Sequence, residues 1–180
     1  MKSSKVTRQL LPSLHGRGWG WVILFLLSCQ SGKENVYRYA GGEIRLEVVN
    51  DTLSILRHIS TSYSPPSTGG VGGGSSFPLP YPTFRLSCGD LTGDGTPEIG
   101  VGVIKRTRFS PEKEKRLFIF HLTEGRLIRP LWMGSHVGAR LDDFRFDDRH
   151  VCTSEHDADG NTFNRTYELT SFGLKPVSAL

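Results

Sequence analysis

The sequence lacks several features that would assign it to a common class of protein. Its apolar run at residues 21–27 (WVILFLL) is far shorter than the ~20 residues that a transmembrane helix needs. The catalytic patterns G-x-S-x-G and H-E-x-x-H and a phosphate-binding glycine loop are absent. The residue patterns therefore point to no familiar enzyme.

An excess of charge is also lacking once the first 28 residues are set aside. The whole chain has 22 basic and 18 acidic residues, and its four excess charges are Lys2, Lys5, Arg8 and Arg17. The rest of the chain is balanced, with 18 residues of each sign. No basic surface for nucleic acid or anionic lipid is expected, so we predict no nucleic-acid partner.

Residues 1–28 have the three parts of an export signal: a basic start, the short apolar run and a small residue, Ser28, before Cys29. The ending LLSC resembles the lipobox of bacterial lipoproteins. The resemblance implies cleavage before Cys29, a palmitate-type lipid on that cysteine and attachment to the bacterial cell envelope. It further implies the outer membrane if the source is Gram-negative, because Gln30 rather than Asp follows the cysteine. Several acyl chains anchor a protein durably.

After the lipidated cysteine, residues 29–36 are predicted to form a polar tether. Residues 37–60 are predicted to form a β-hairpin, because runs 43–49 and 52–59 alternate and flank Asn50 and Asp51. Residues 61–82 are rich in Gly, Pro and Ser and are expected to be a flexible loop. A polyproline ligand there (PLPYP) is the minority interpretation.

Residues 83–180 are predicted to form an all-β antiparallel meander, because short strand-like runs alternate with turn signals. The expected strands are residues 84–88, 98–105, 116–122, 126–133, 142–146, 150–156, 162–169 and 174–177. Residues 110–115 (SPEKEK) are the one segment expected to form a helical turn, with Pro111 at its first position.

Residues 90–98 (DLTGDGTPE) form the most informative stretch, called the acidic loop below. Oxygen-bearing side chains alternate at Asp90, Thr92, Asp94 and Glu98, and glycine occupies the sixth position. Ca²⁺ prefers six to eight oxygen ligands, and the backbone carbonyl of Thr96 could supply another. We therefore predict a Ca²⁺ site, against the simpler interpretation of a metal-free polar turn.

With its flanking runs, the acidic loop resembles an FG-GAP repeat, the integrin-type β-propeller unit. The resemblance implies a strand, a calcium loop and a second strand, and so one to two propeller blades beside the N-terminal hairpin. Thr92 departs from the usual Asp or Asn, so the expected affinity is modest, about 10⁻⁴–10⁻³ M. Since a propeller needs four or more blades, the domain must cap its edges, form a sandwich or assemble with other chains.

Two further acidic segments have competing interpretations. Asp143 lies 53 residues after Asp90, and together with Asp147 it forms a pattern that suggests a decayed second copy of the acidic loop. This copy is predicted to be empty because Arg145 takes a ligand position. Residues 157–161 (DADGN) are interpreted as a hairpin turn in preference to a metal loop.

The leading functional hypothesis is a non-enzymatic envelope lipoprotein whose Ca²⁺-stabilised β domain acts as a binding or scaffold module for a protein or glycan. The alternative is a lipid-anchored hydrolase or glycan-acting enzyme that uses the cluster Asp142, Asp143, Asp147 and Asp148. A disulfide between Cys88 and Cys152 is permitted outside the cytoplasm, although both could be buried free thiols.

Overall fold

The computed structural model describes residues 35–61, 74–108, 110–124, 127–134 and 137–177. The predicted leader, Cys29 and residues 62–73 of the Gly/Pro-rich segment lie outside these residues. No helix within the described ranges is long and apolar enough to cross a membrane.

The described chain is all-β, as the sequence predicts, and it forms three antiparallel four-stranded sheets. The first sheet contains β1 (Val36–Tyr39), β2 (Gly42–Asn50), β3 (Leu53–Ser60) and β4 (Gly74–Leu79). The second contains β5 (Thr83–Gly89), β6 (Glu98–Thr107), β7 (Ser110–Thr123) and β8 (Leu127–Met133). The third contains β9 (Arg140–Asp147), β10 (His150–His156), β11 (Thr162–Thr170) and β12 (Gly173–Pro176).

The second sheet lies between the other two and is buried on both faces. Leu117, Phe118, Ile119 and Phe120 are consecutive residues of β7, and all are at most 2% exposed. Phe118 and Phe120 belong to the core cluster shared with the first sheet, whereas Leu117 and Ile119 belong to the cluster shared with the third. A continuous apolar run is typical of a strand with both faces covered.

The middle strands β2, β3 and β10 of the outer sheets bury only one face, because buried residues alternate with less buried ones along them. The outer face of the first sheet carries ion pairs such as Arg57 with Glu47. The outer face of the third sheet carries Arg145 paired with Asp147. The stack therefore ends in polar, charged faces on both sides.

The three sheets follow one another as similar meanders. Their first strands are neighbours, β1 beside β5 and β5 beside β9, while β4 lies beside β8. This arrangement is compatible with consecutive propeller-like blades. The predicted N-terminal hairpin is present as β2 and β3, and β1 and β4 flank it to complete the first sheet.

Two segments differ from their predicted form. Residues 74–79 lie in the predicted flexible loop but form strand β4, which pairs with β3 and buries Leu79 completely. Pro78 is tolerated because β4 is the edge strand of its sheet. The predicted helical turn at 110–115 is wrong, since these residues extend β7 and pair with β6.

Candidate functional site

The acidic loop connects β5 to β6, the first two strands of the central sheet. Gly93 and Gly95 have φ values of 78° and 83°, a left-handed conformation that side chains strongly disfavour. Glycine at these two positions lets the chain curl back on itself. The turn thereby directs successive backbone amides toward the carboxylate of Asp90.

Asp90 organises the first half of the loop through its side chain. Its carboxylate accepts hydrogen bonds from the amides of Gly93 at 2.6 Å, Asp94 at 3.1 Å and Gly95 at 2.8 Å. The amide of Gly95, followed by those of Gly93 and Asp94, lowers the pKa of Asp90 below its ordinary value. The ionised carboxylate is the form that these donors stabilise.

Glu98 organises the second half from a buried position, with 3% of its surface exposed. Its Oε2 accepts hydrogen bonds from the amides of Leu91 at 2.7 Å and Thr92 at 3.2 Å. Burial raises the pKa of Glu98, and the charge of Asp94 adds to the rise, while the two amides oppose it. Burial is the largest of these effects, so the folded loop favours the protonated acid relative to the unfolded chain.

The remaining predicted ligands are engaged within the loop as well. The hydroxyl of Thr92 donates to Oε1 of Glu98 at 3.3 Å. Asp94 accepts the amide hydrogen of Thr96 at 2.7 Å. Each side chain that the sequence assigned to a metal therefore has a hydrogen-bond partner inside the loop.

The fit to Ca²⁺ is good in chemistry and poor in arrangement. All donors are oxygens, which suits a hard cation. However, no group of three or more His, Cys, Asp or Glu side chains in the described part of the chain is placed to hold a metal ion. Asp90 and Glu98 instead bind backbone amides. Ca²⁺ coordination here stays a prediction that requires these carboxylates to turn from the amides toward an ion.

Arg149, which the sequence analysis did not connect with this loop, supplies a cation from the third sheet. It lies in the turn between β9 and β10, and its guanidinium is close enough to Gly93 that a Cβ there would lie 2.6 Å from Nη2. Its charge contributes to the lowered pKa of Asp90. The signal available in the sequence was the position of Arg149 in the short connection between the first two strands of its sheet, the place that the acidic loop occupies in the central sheet.

The predicted second copy of the loop is wrong in its placement. Asp90 directly follows β5, whereas Asp143 lies within β9 and forms an ion pair with Arg85 at 3.2 Å. The connection that corresponds to the acidic loop is the tight turn at residues 148–149, between β9 and β10. Asp148 adopts a φ of 52° in this turn.

The acids of the alternative enzyme hypothesis do not converge on one centre. Asp142 holds His156, whose Nδ1 lies 3.0 Å from both carboxylate oxygens. Asp143 pairs with Arg85, and Asp147 pairs with Arg145 at 3.3 Å. Three of the four acids of this cluster are thus held by separate partners.

Residues 157–161 form the hairpin turn that the sequence predicts, between β10 and β11. The Asp157 carboxylate accepts the amide hydrogens of Asp159 and Asn161, each at 2.9 Å. These hydrogen bonds lower the pKa of Asp157, with the side-chain amide of Asn161 making the largest contribution. An aspartate that caps its own turn needs no metal to satisfy it.

Within the described residues, Cys88 and Cys152 are free thiols and do not form the disulfide considered above. Cys88 packs against the core between the first and second sheets, and burial raises the pKa of its thiol. Cys152 lies in the third sheet, opposite Arg145 and Thr166 on neighbouring strands. The thiols belong to different sheets, so pairing them would require the core to be rearranged.

Comparison with protein families, curated proteins and solved structures gives no match to this chain.

Proposed function

We propose that this chain is a lipid-anchored, non-catalytic binding or scaffold module of the bacterial cell envelope, stabilised by Ca²⁺ at its acidic loop. The observation that carries the proposal is the leader, in which a basic start, a short apolar run and the sequence LLSC occur in order. That order is typical of an export signal, and the ending LLSC resembles the lipobox, which implies lipid attachment at Cys29.

The anchor is tested by expression in a bacterium with labelled palmitate. We expect label in the wild-type protein and in a Ser31→Ala control, and none in Cys29→Ala. Mass spectrometry should place the mature N-terminus at Cys29. Label that persists in Cys29→Ala, or a mature chain that begins elsewhere, contradicts the lipoprotein assignment.

The calcium part of the proposal is supported by the oxygen-bearing side chains at alternate positions of the acidic loop. The left-handed conformation of Gly93 and Gly95 supports it as well. It is tested by thermal unfolding in excess EDTA, followed by titration with Ca²⁺ or Mg²⁺. An ion bound only by the folded chain raises the melting temperature. We expect a rise with Ca²⁺ but not Mg²⁺, lost in Asp94→Ala and kept in the control Asp159→Ala. No shift at millimolar Ca²⁺ would identify the loop as a metal-free turn.

The non-catalytic part is supported by the separate partners of Asp142, Asp143 and Asp147. Two substitutions distinguish the module from the hydrolase. The module predicts that Asp90→Asn reduces stability and the response to metal, whereas Asp147→Asn changes neither. A hydrolase predicts that Asp147→Asn folds normally and loses turnover on a glycan or ester substrate. The deciding measurement is melting temperature and hydrolysis in both variants.

A further inference from the structure

A cavity of about 250 Å³ lies where β7 runs beyond the end of β8, next to the start of β9. Trp132 and Leu117 form apolar parts of its wall. Four cationic side chains also line it: Lys113, Lys115, Arg116 and Arg140. It lies on the central sheet but apart from the acidic loop, and no role assigned above uses it.

Arg116 is the unusual member of this wall, because only 3% of its side chain is exposed. Its Nη2 pairs with Glu114, but Nε and Nη1 have no hydrogen-bond acceptor among the described residues. A buried polar group without a partner costs free energy, and a charged one costs more. Both of these nitrogens are buried, so a ligand in the cavity can reach the guanidinium only at Nη2, in the place that Glu114 now occupies.

The balance of charge around the cavity indicates the kind of acceptor. The four cations face three carboxylates, those of Glu112, Glu114 and Asp142. Asp142 is engaged by His156 at 3.0 Å, and Glu114 is shared between Arg116 and Arg140, the latter at 3.8 Å. These seven side chains leave one positive charge over, which matches a monovalent anion better than a divalent one.

Trp132 supplies a fixed apolar surface beside these charges. A Cβ at Gly134 or at Gly173 would overlap the indole, at 2.3 Å and 2.8 Å respectively, so glycine at both positions leaves the ring its space. A flat ring or short chain could lie against the indole. Cavities that bind small ligands commonly combine such a surface with a few well-placed polar groups.

We propose that this cavity binds a small organic carboxylate, whose anionic group pairs with Arg116 while its apolar part lies against Trp132. Glu114 turns toward Arg140 when the ligand arrives, because the same carboxylate already lies between the two guanidinium groups. This inference rests on the proposed function, in which the chain is a binding module. It names the class of ligand that the module binds.

The test is isothermal titration calorimetry on the mature protein, which is expressed in a bacterium and purified in detergent. Benzoate is the probe, benzamide is its uncharged isostere, and inorganic phosphate represents a divalent oxyanion. We expect saturable binding of benzoate, weaker binding of phosphate and none of benzamide. Equal binding of benzoate and benzamide, tighter binding of phosphate, or no binding at tens of millimolar overturns the proposal.

Three variants assign the binding to the cavity. Arg116→Met keeps the apolar bulk, and we expect it to weaken benzoate binding about tenfold or more, as loss of a charge-assisted hydrogen bond does. Glu114→Gln removes the competing carboxylate and should tighten binding several-fold. Arg145→Gln, on the outer face of the third sheet, is the matched control and should bind as the wild type does.

If Arg116→Met fails to fold, Glu114→Gln and Arg140→Gln still decide the question. Glu114→Gln should tighten benzoate binding, whereas Arg140→Gln removes the cation toward which Glu114 turns and should weaken it. Unchanged affinity in both overturns the proposal. Palmitate labelling and the Ca²⁺-dependent melting temperature are separate readouts. A failure of the carboxylate site can therefore be distinguished from a failure of the proposed function.

Discussion

The second and third sheets share a meander topology but differ in the connection between their first two strands. In the second sheet this connection is the acidic loop, and in the third it is the tight turn containing Asp148 and Arg149. The longer loop carries three acids that bind its own amides, whereas the turn places a cation against that loop. The charges around the acidic loop therefore come from two neighbouring sheets, and the loop motif alone does not reveal the contribution of Arg149.

The same two sheets also differ in burial. The second sheet has core on both faces, whereas the third has core on one face and charged residues on the other. The free energy of unfolding should depend more on the second sheet, since this sheet packs against both hydrophobic core clusters.

Phe118→Ala should produce the largest effect. Phe118 is completely buried in the second sheet, between Tyr81 and Phe120. Its truncation should lower the free energy of unfolding by roughly 3–5 kcal/mol, because it removes apolar contacts and leaves a cavity. Urea denaturation measures the loss. Phe163→Ala, at a half-buried position of the third sheet, is the comparison, and an equal loss there would contradict the asymmetry.

Gly100→Ala tests how closely the two sheets approach each other. A Cβ at Gly100 would lie 2.6 Å from Phe146 and 2.8 Å from Phe144 of the third sheet. Overpacking of this kind should cost about 1–3 kcal/mol. The double variant with Phe146→Leu should recover part of the loss in the same denaturation experiment. A neutral Gly100→Ala would show that the sheets have room to separate.

The sequence predicted the all-β class and most strands because alternation and turn residues are local signals. It missed β4 because Gly, Ser and Pro dominate residues 74–79, where pairing with β3 overrides local preference. It predicted a helical turn at 110–115 because charged residues there resemble a helix start. In the structure these residues pair with β6 and form part of strand β7. The arrangement of the acidic loop escaped prediction because a carboxylate can bind an ion or an amide, and Arg149 arrives from another sheet.

Glu98→Gln tests the buried acid of the loop. The folded chain raises the pKa of Glu98 above its ordinary 4.5, so the folded state binds this proton more tightly than the unfolded state. The free energy of unfolding should therefore fall as pH rises from about 4.5 through the raised pKa. Glutamine keeps an acceptor for both amides and should abolish this fall, which urea denaturation across pH measures.

Two comparisons make the Glu98 result specific. Glu98→Ala leaves the amides of Leu91 and Thr92 without their acceptor and should cost ~1–3 kcal/mol at every pH. Glu168→Gln, on a side chain that is 56% exposed, should retain the wild-type pH profile. The lowered pKa of Asp90 acts in a different range, below 3.8, where stability is lost on acidification. An unchanged profile in Glu98→Gln would contradict the assignment.

Arg149→Gln should produce the smallest effect on stability, because an exposed charge contributes about 0–1 kcal/mol. Its effect on metal response should be larger. Removing this cation from beside Gly93 and Asp90 leaves the loop more negative, so the Ca²⁺-induced rise in melting temperature should increase. Arg145→Gln, which removes a cation paired with Asp147, is the control and should respond as the wild type does. A smaller Ca²⁺ response in Arg149→Gln would show that the guanidinium holds the loop open to the ion and does not compete with it.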